Sequence, residues 1–185
     1  MKKITAVILV GLIIFTLVSC GEKTPKLDGV EAPIDILNAV WATYTEETEK
    51  FYARGGDYNS YVENAPGVYS LNDKESAAAE LVLNDKTIAM VDGAASLMHA
   101  MNSNSFTGVA YHIADGIAAT AFIDEMKEAI NNNQWICGSP EKLLVAELTD
   151  EYVVIAFGTN EIIKTFNNKL VAKFEMAKVS VDSIG

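Results

Sequence analysis

Cysteine is scarce in this sequence, two residues in 185, and that excludes a disulfide-built scaffold. Histidine is equally scarce. His99 and His112 stand alone, with no His-x-x-x-His, Cys-x-x-Cys or His-Glu spacing around them, so nothing points to a zinc site and no cofactor is expected. Basic residues are outnumbered, 14 against 25 acidic, for a net charge of -11. That balance argues against nucleic-acid binding, because phosphates need a basic footprint. Gly-x-Gly-x-x-Gly, the P-loop, Gly-x-Ser-x-Gly and the EF-hand loop are all missing, which lowers the case for nucleotide, hydrolase and calcium chemistry. What is present is 50% apolar and 21% charged residues, the balance of a chain that buries a core rather than staying disordered. The length suits one ordinary domain.

The N-terminus has its own pattern. Met1-Lys2-Lys3 precedes an apolar run from Ile4 to Val18, followed by Ser19-Cys20. Two lysines, a short apolar stretch and a small residue before a cleavage point are the parts of a secretory signal. The run is shorter than the roughly 20 residues that a spanning helix needs.

Leu17-Val18-Ser19-Cys20 resembles a bacterial lipobox: an aliphatic residue, a tolerant position, a small residue and a cysteine. The resemblance implies that Cys20 is diacylated on its thiol, that the chain is cut before it, and that Cys20 becomes the first residue. Two or three acyl chains anchor a protein stably where one does not. Gly21 rather than Asp follows the cysteine. In a bacterium with two membranes that implies permission to reach the outer one. The leader carries Lys2 and Lys3 and no acid, so 14 basic residues become 12 against 25 acidic ones, a net charge of -13. Such a surface is repelled by anionic headgroups. The expected organisation is a signal peptide over 1–19, a lipidated tether over 20–32, polar and carrying Pro25 and Gly29, and a single domain over 33–185.

Within the domain, Ile34, Leu37, Trp41 and Tyr44 recur at helical spacing behind Pro33 and predict a helix over 33–45. Residues 46–72 lose the period and carry turn signals at Gly55-Gly56-Asp57 and Ala65-Pro66-Gly67. Residues 75–83 carry helix and strand signals together. Asn84 or Asp85 caps an expected helix bearing Ile88, Val91, Ala95, Met98 and Met101. Phe106–Ile113, Leu143–Leu148 and Tyr152–Phe157 read as strands, and 116–131 and 160–176 as helices. The predicted class is α+β, with a small, mainly antiparallel sheet of about three strands. The last two strands are nearly unbroken apolar runs that require cover on both faces. The 116–131 and 160–176 helices are expected on one face, and the 85–101 helix on the other with 33–45.

The stretch from Phe106 to Phe157 contains a strand, Asp115-Gly116, a helix ending Met126-Lys127-Glu128-Ala129-Ile130, then Trp135-Ile136-Cys137-Gly138 and an apolar hairpin. It is similar to small extracytoplasmic lipoproteins of clostridial-type gut anaerobes. The resemblance implies a fold module and a location, not a reaction.

Candidate chemistry is thin. Cys137 reads as a small buried residue at a strand entrance, since no activating base sits beside it in sequence. A His112–Cys137 dyad requires the two to be neighbours, and no acid nearby in sequence orients the imidazole. Glu46, Glu47 and Glu49 read as a solvated acidic face. The best candidate is the tyrosine-rich loop. Tyr52, Tyr58, Tyr61 and Tyr69, beside Asp57, Asn59 and Asn64, are suited to line a surface for a glycan or a peptide, because tyrosine offers a flat face and a polar tip at low entropic cost. The expected protein is a lipid-anchored extracytoplasmic lipoprotein, a non-enzymatic binding module at the cell envelope. The alternative is an envelope enzyme whose site assembles from residues distant in sequence. Its expected partners are the membrane, through the acyl chains, and an envelope protein or glycan, with no nucleic acid.

Overall fold

The computed structural model describes residues 27–184 apart from Thr48 and Cys137. The lipobox, the first part of the tether and Cys137 itself therefore lie outside the described residues. In chain order the elements are α1 (Pro33–Trp41), β1 (Ala53–Gly55), β2 (Val62–Glu63), β3 (Gly67–Val68), α2 (Lys74–Leu81), α3 (Asp85–Ile88), β4 (Val91–His99), β5 (Phe106–Ile113), α4 (Ala119–Asn131), β6 (Lys142–Glu147), β7 (Tyr152–Gly158), α5 (Asn160–Lys173) and β8 (Lys178–Ser183). Among the described residues no helix is long and apolar enough to cross a membrane.

The class is α+β, but the expected three-stranded sheet is wrong. All eight strands join one antiparallel sheet, ordered β2-β1-β4-β5-β7-β6-β8, with β3 pairing β4 beside β1. Three misreadings account for the difference. The helix expected over 85–101 is a single turn, α3, followed by the nine-residue strand β4. That strand is buried on both faces, so its apolar residues need not alternate, and Val91, Ala95 and Met98 fall at helical spacing by coincidence. The irregular 46–72 segment supplies β1, β2 and β3, each two or three residues long and too short to carry a period. Beyond α5, the alternation of Val179 and Val181 with Ser180 and Asp182 is the period-two signature of β8.

The helices also divide differently. Phe122, Met126 and Ile130 of α4 pack on Val109, Tyr111, Val145, Val153 and Ile155, and Leu81 of α2 joins them. Ile163, Phe166 and Leu170 of α5, with Ile36, Leu37 and Val40 of α1, pack on Ala110, Leu144, Val154 and Ala156. So α4 and α5 lie on opposite faces rather than together. Topology dictates this. The β5–α4–β6 and β7–α5–β8 crossovers each join parallel strands over one intervening strand and step the same way along the sheet. Their starting strands run antiparallel, so right-handed crossovers put the two helices on opposite sides. Each fully buried side chain of that size contributes about 1.5–3 kcal/mol.

Local signals set the helix starts. Pro33 occupies the first turn of α1, and the Asp35 carboxylate accepts from the Glu31 and Ala32 amides, both at 2.9 Å. Asp73 caps α2 by accepting from Ser76. At the start of α5 the cap comes from another element: Glu141 accepts from the Asn160 amide at 2.8 Å. Leu27 and Val30 already pack against the α1 face, so chain assigned to the tether is held on the domain from Leu27 onward.

Candidate functional site

The tyrosine-rich segment is fastened to the sheet at its glycines. Gly56 adopts φ +88°, and Ser96 of β4 both accepts from its amide (3.0 Å) and donates to its carbonyl (3.1 Å). Asp57, next along, is buried and organises the turn. Its carboxylate accepts from the Asn59 amide (2.9 Å), the Ser60 hydroxyl (2.8 Å) and the Ser70 amide (3.3 Å). Burial opposes ionisation of Asp57, but these donors outweigh it and hold its pKa below the ordinary value. This contribution to stability is present above the unfolded carboxyl pKa and is lost as pH falls through the lower folded one.

The four tyrosines separate. Tyr52, Tyr58 and Tyr61 are 51%, 72% and 55% exposed, whereas Tyr69 is 2% exposed and offers solvent no face. Its ring joins the core on the α2 and α4 side, and its hydroxyl donates to Glu80 at 2.8 Å. The other carboxylate oxygen of Glu80 pairs with Arg54 of β1 at 2.5 Å. Tyr69 therefore ties α2 to the sheet. Tyr69→Phe is expected to lower stability by about 1–2 kcal/mol and Glu80→Ala by about 3 kcal/mol, because the latter strands a largely buried guanidinium. Urea melts of both single variants and the double variant check this. Additive losses would show that the three groups do not act as one network.

Beside the exposed tyrosines lies a cleft of about 490 Å³ lined by Trp41, Glu47, Lys50, Phe51, Tyr52 and Asn64. That volume is within the range of small-ligand sites. Two of its lining rings, Trp41 and Phe51, belong to an aromatic ladder. Trp41 lies 4.8 Å from Tyr44 and 5.5 Å from Phe51, and Phe51 lies 5.1 Å from Phe106 in the core. Phe51 also stacks on His99 at 5.8 Å, and the His99 Nδ1 accepts from the Met101 and Asn102 amides. Trp41 donates its indole N–H to the Asn64 carbonyl at 3.0 Å, so the β1–β2 hairpin is clamped to the end of α1. Lys169 of α5 ties down the 43–49 segment that leads into the cleft. It donates to the Thr43 carbonyl (3.0 Å), pairs with Glu49 (2.8 Å) and sits 5.6 Å above the Tyr44 ring. The cleft is thus built on helices and strands although its lining comes largely from a loop. Sequence reading found Tyr52 but missed Trp41 and Phe51. Spacing alone places Trp41 on the buried stripe of α1, but it is only half-buried because it ends that helix.

Two smaller clefts carry less chemistry. One of about 350 Å³ lies between α4 and the β6–β8 edge, where Lys178 is already paired with Glu147. Another of about 390 Å³ lies under Phe174 and Met176 at the end of α5. Among the described residues no group of three or more His, Cys, Asp or Glu is placed to hold a metal ion.

His112 does acquire an orienting acid. A bulge between Val91 and Gly93 turns Asp92 toward β5, where its carboxylate contacts the His112 Nδ1. The imidazole meets the Tyr152 ring edge-on at 5.0 Å. The dyad with Cys137 falls outside the described residues, and only the chain neighbours of that cysteine can be placed. Ile136 and Gly138 both give their carbonyls to the Asn104 side chain, beside the first residue of β5. His112 lies six residues away at the other end of that strand, about 20 Å off. Neither Asp92 nor His112 lines any of the three clefts.

Compared with known proteins, the chain matches no family model, no curated protein and no solved structure.

Proposed function

We propose that this chain is a lipid-anchored extracytoplasmic lipoprotein whose domain is a non-enzymatic binding module, with the aromatic cleft as its site and a neutral glycan as its ligand. The observation that carries the reading is the cleft itself: half-exposed Trp41 and Phe51 and exposed Tyr52 at the rim of a pinned hairpin, with Asn64, Glu47 and Lys50 as polar groups around them. Aromatic faces take the apolar face of a sugar ring, and the surrounding amide and charged tips take its hydroxyls. The net charge of -11 disfavours polyanions, nucleic acid and acidic wall polymers alike. The lipobox Leu17-Val18-Ser19-Cys20 supports location at the envelope, where such glycans are found.

The test titrates detergent-solubilised full-length chain with a neutral N-acetylglucosamine oligomer and follows tryptophan fluorescence. Trp41 lines the cleft, while Trp135 packs 5.1 Å from Phe157 on the opposite face and serves as the silent reference. Tyr52→Ala is expected to weaken binding about tenfold, a loss of about 1.4 kcal/mol, without changing the melting temperature. Binding that ignores Tyr52→Ala, or that calorimetry finds unweakened in Trp41→Ala, rejects the cleft as the site. Separately, Cys20→Ala is expected to abolish fatty-acid labelling in cells, and labelling that persists rejects the anchor.

A second reading, an envelope enzyme, has one observation in its favour, the Asp92–His112 pair, in which a carboxylate holds the imidazole by its Nδ1 as in acid–base dyads. Neither residue of the pair lines the three clefts described above. A turnover lost in His112→Asn and kept in Tyr52→Ala would establish it.

A further inference from the structure

The β8 strand is hydrogen-bonded on one side only, by β6, so among the described residues its other edge is open. Six consecutive pairs with β6, from Lys142–Ser183 to Glu147–Lys178, contain no bulge and no proline. Long flat edges of this kind are templates for a further strand. Which groups face outward follows from one bond. Ile184 donates its amide to the Glu141 carbonyl at 3.1 Å, and alternation along the ladder then turns Lys178, Ser180 and Asp182 toward β6. Val179, Val181 and Ser183 present their amides and carbonyls outward.

We infer that this edge pairs with the same edge of a second copy, antiparallel and centred on Ser180. The run Lys178-Val179-Ser180-Val181-Asp182 is its own complement in that register. Val179 of one copy exchanges both backbone hydrogen bonds with Val181 of the other, and the two-fold axis repeats them. Lys178 faces Asp182 across the axis as a non-bonded pair, where side chains approach most closely. Each of these charges already has a partner on its own chain, Lys178 with Glu147 at 2.7 Å and Asp182 with Lys127 at 3.1 Å. Pairing therefore lines up Lys127, Asp182, Lys178 and Glu147 with alternating sign on the α4 face. On the α5 face it brings together four valines, of which Val181 is 43% exposed in the single chain. Moving the axis to Asp182 would set Asp182 against itself, moving it to Lys178 would oppose two lysines, and moving it to Val179 or Val181 would set Lys178 or Asp182 against Ser180, so only the Ser180 register pairs the opposite charges. Edge pairing of six residues buries less than the roughly 1,000 Å² of a permanent interface, so the dimer is a weak one.

The test is disulfide trapping in full-length chains carrying Cys137→Ala, with that background alone reporting on Cys20. In the proposed register residue 180 faces its own copy at about 4.5 Å between α-carbons, inside disulfide range. Ser180→Cys is expected to give crosslinked dimer under mild oxidation about tenfold faster than Lys178→Cys or Asp182→Cys alone, whose α-carbons lie about 14 Å from their copies. Together, Lys178→Cys and Asp182→Cys should crosslink again. Val181→Pro removes only an outward-facing amide, not a bond to β6, and Val181→Lys places a charge among the valines. Each is expected to reduce the Ser180→Cys crosslink about tenfold with the circular dichroism unchanged. Equal trapping at all three single positions, or no trapping at Ser180→Cys, overturns the proposal.

Discussion

Above about pH 10 the chain is expected to lose stability at up to about 4 kcal/mol per pH unit, the combined slope of three buried phenols. Tyr44, Tyr69 and Tyr111 are 4%, 2% and 1% exposed. Burial is the largest cause in each, and it holds their hydroxyls neutral well above the ordinary tyrosine value. Tyr69 gains further from its hydrogen bond to Glu80 and the negative charges of Glu80 and Asp57, against a smaller opposing effect of Arg54. For Tyr44 the additional cause is Glu49. Tyr111 is enclosed by the core with Phe122 edge-on at 5.0 Å.

The sign follows from the protons. Past pH 10 the unfolded chain releases three that the folded chain retains, so alkali favours unfolding, and the contribution is complete below the unfolded pKa. A domain stable by about 5–15 kcal/mol cannot survive more than a few units of that slope. Urea midpoints measured from neutral pH upward check this, with tyrosinate absorbance as the second probe. Tyr111→Phe should remove about one third of the slope. A midpoint that stays flat through about pH 11, or tyrosinate appearing before unfolding, would sink the account.

How far the sequence reveals this fold depends on what each element buries. The helices α4 and α5 each bury one face, and their three-and-four spacing is plain in Phe122, Met126 and Ile130 and in Ile163, Phe166 and Leu170. The strands β5, β6 and β7 declare themselves as apolar runs between turn signals. In β4 the local pattern misleads, because burial on both faces erases alternation and leaves helix-like spacing behind. No local signal identifies β1 and β3, since both are defined by pairing, β3 with β4 and β1 with β2 and β4. The site shows the same division. Exposed tyrosines were legible as a loop rich in one residue type. Their partners in the cleft were not, because Trp41 and Phe51 become neighbours only when the loop folds back on α1. Asp92 escaped notice beside His112 for the same reason: twenty residues separate them, and a bulge brings them together.

Gly55→Ala is expected to be the most damaging single-methyl change, costing about 3 kcal/mol or more, at the top of the overpacking range. The strands β1 and β3 share one edge of β4, β1 against Met98 and His99 and β3 against Ala95 and Ser96. Where they meet, Gly55 and Gly67 touch backbone to backbone. A Cβ on Gly55 would lie 2.2 Å from the Gly67 nitrogen, 2.4 Å from the Pro66 carbonyl carbon and 2.5 Å from the Ser96 oxygen. All three are backbone atoms, so no rotamer relieves the clash, and one of the strands must leave β4. Loss of β1 takes the Gly56–Ser96 clamp with it, and loss of β3 takes the Ser70 bond to Asp57, so either way the damage concentrates in the loop that carries Tyr58 and Tyr61. Gly116→Ala provides the contrast. Its φ is +79° but nothing lies within 4 Å of the added methyl. Only conformational strain of about 1–2 kcal/mol applies there. Urea melts together with limited proteolysis separate the two cases. Gly55→Ala should open cleavage between residues 56 and 66 and abolish the glycan binding proposed for the Trp41–Tyr52 cleft. Gly116→Ala should leave both unchanged. Equal destabilisation by the two, with no new cleavage in the tyrosine loop, would mean that the glycine contact does not hold that loop on the sheet.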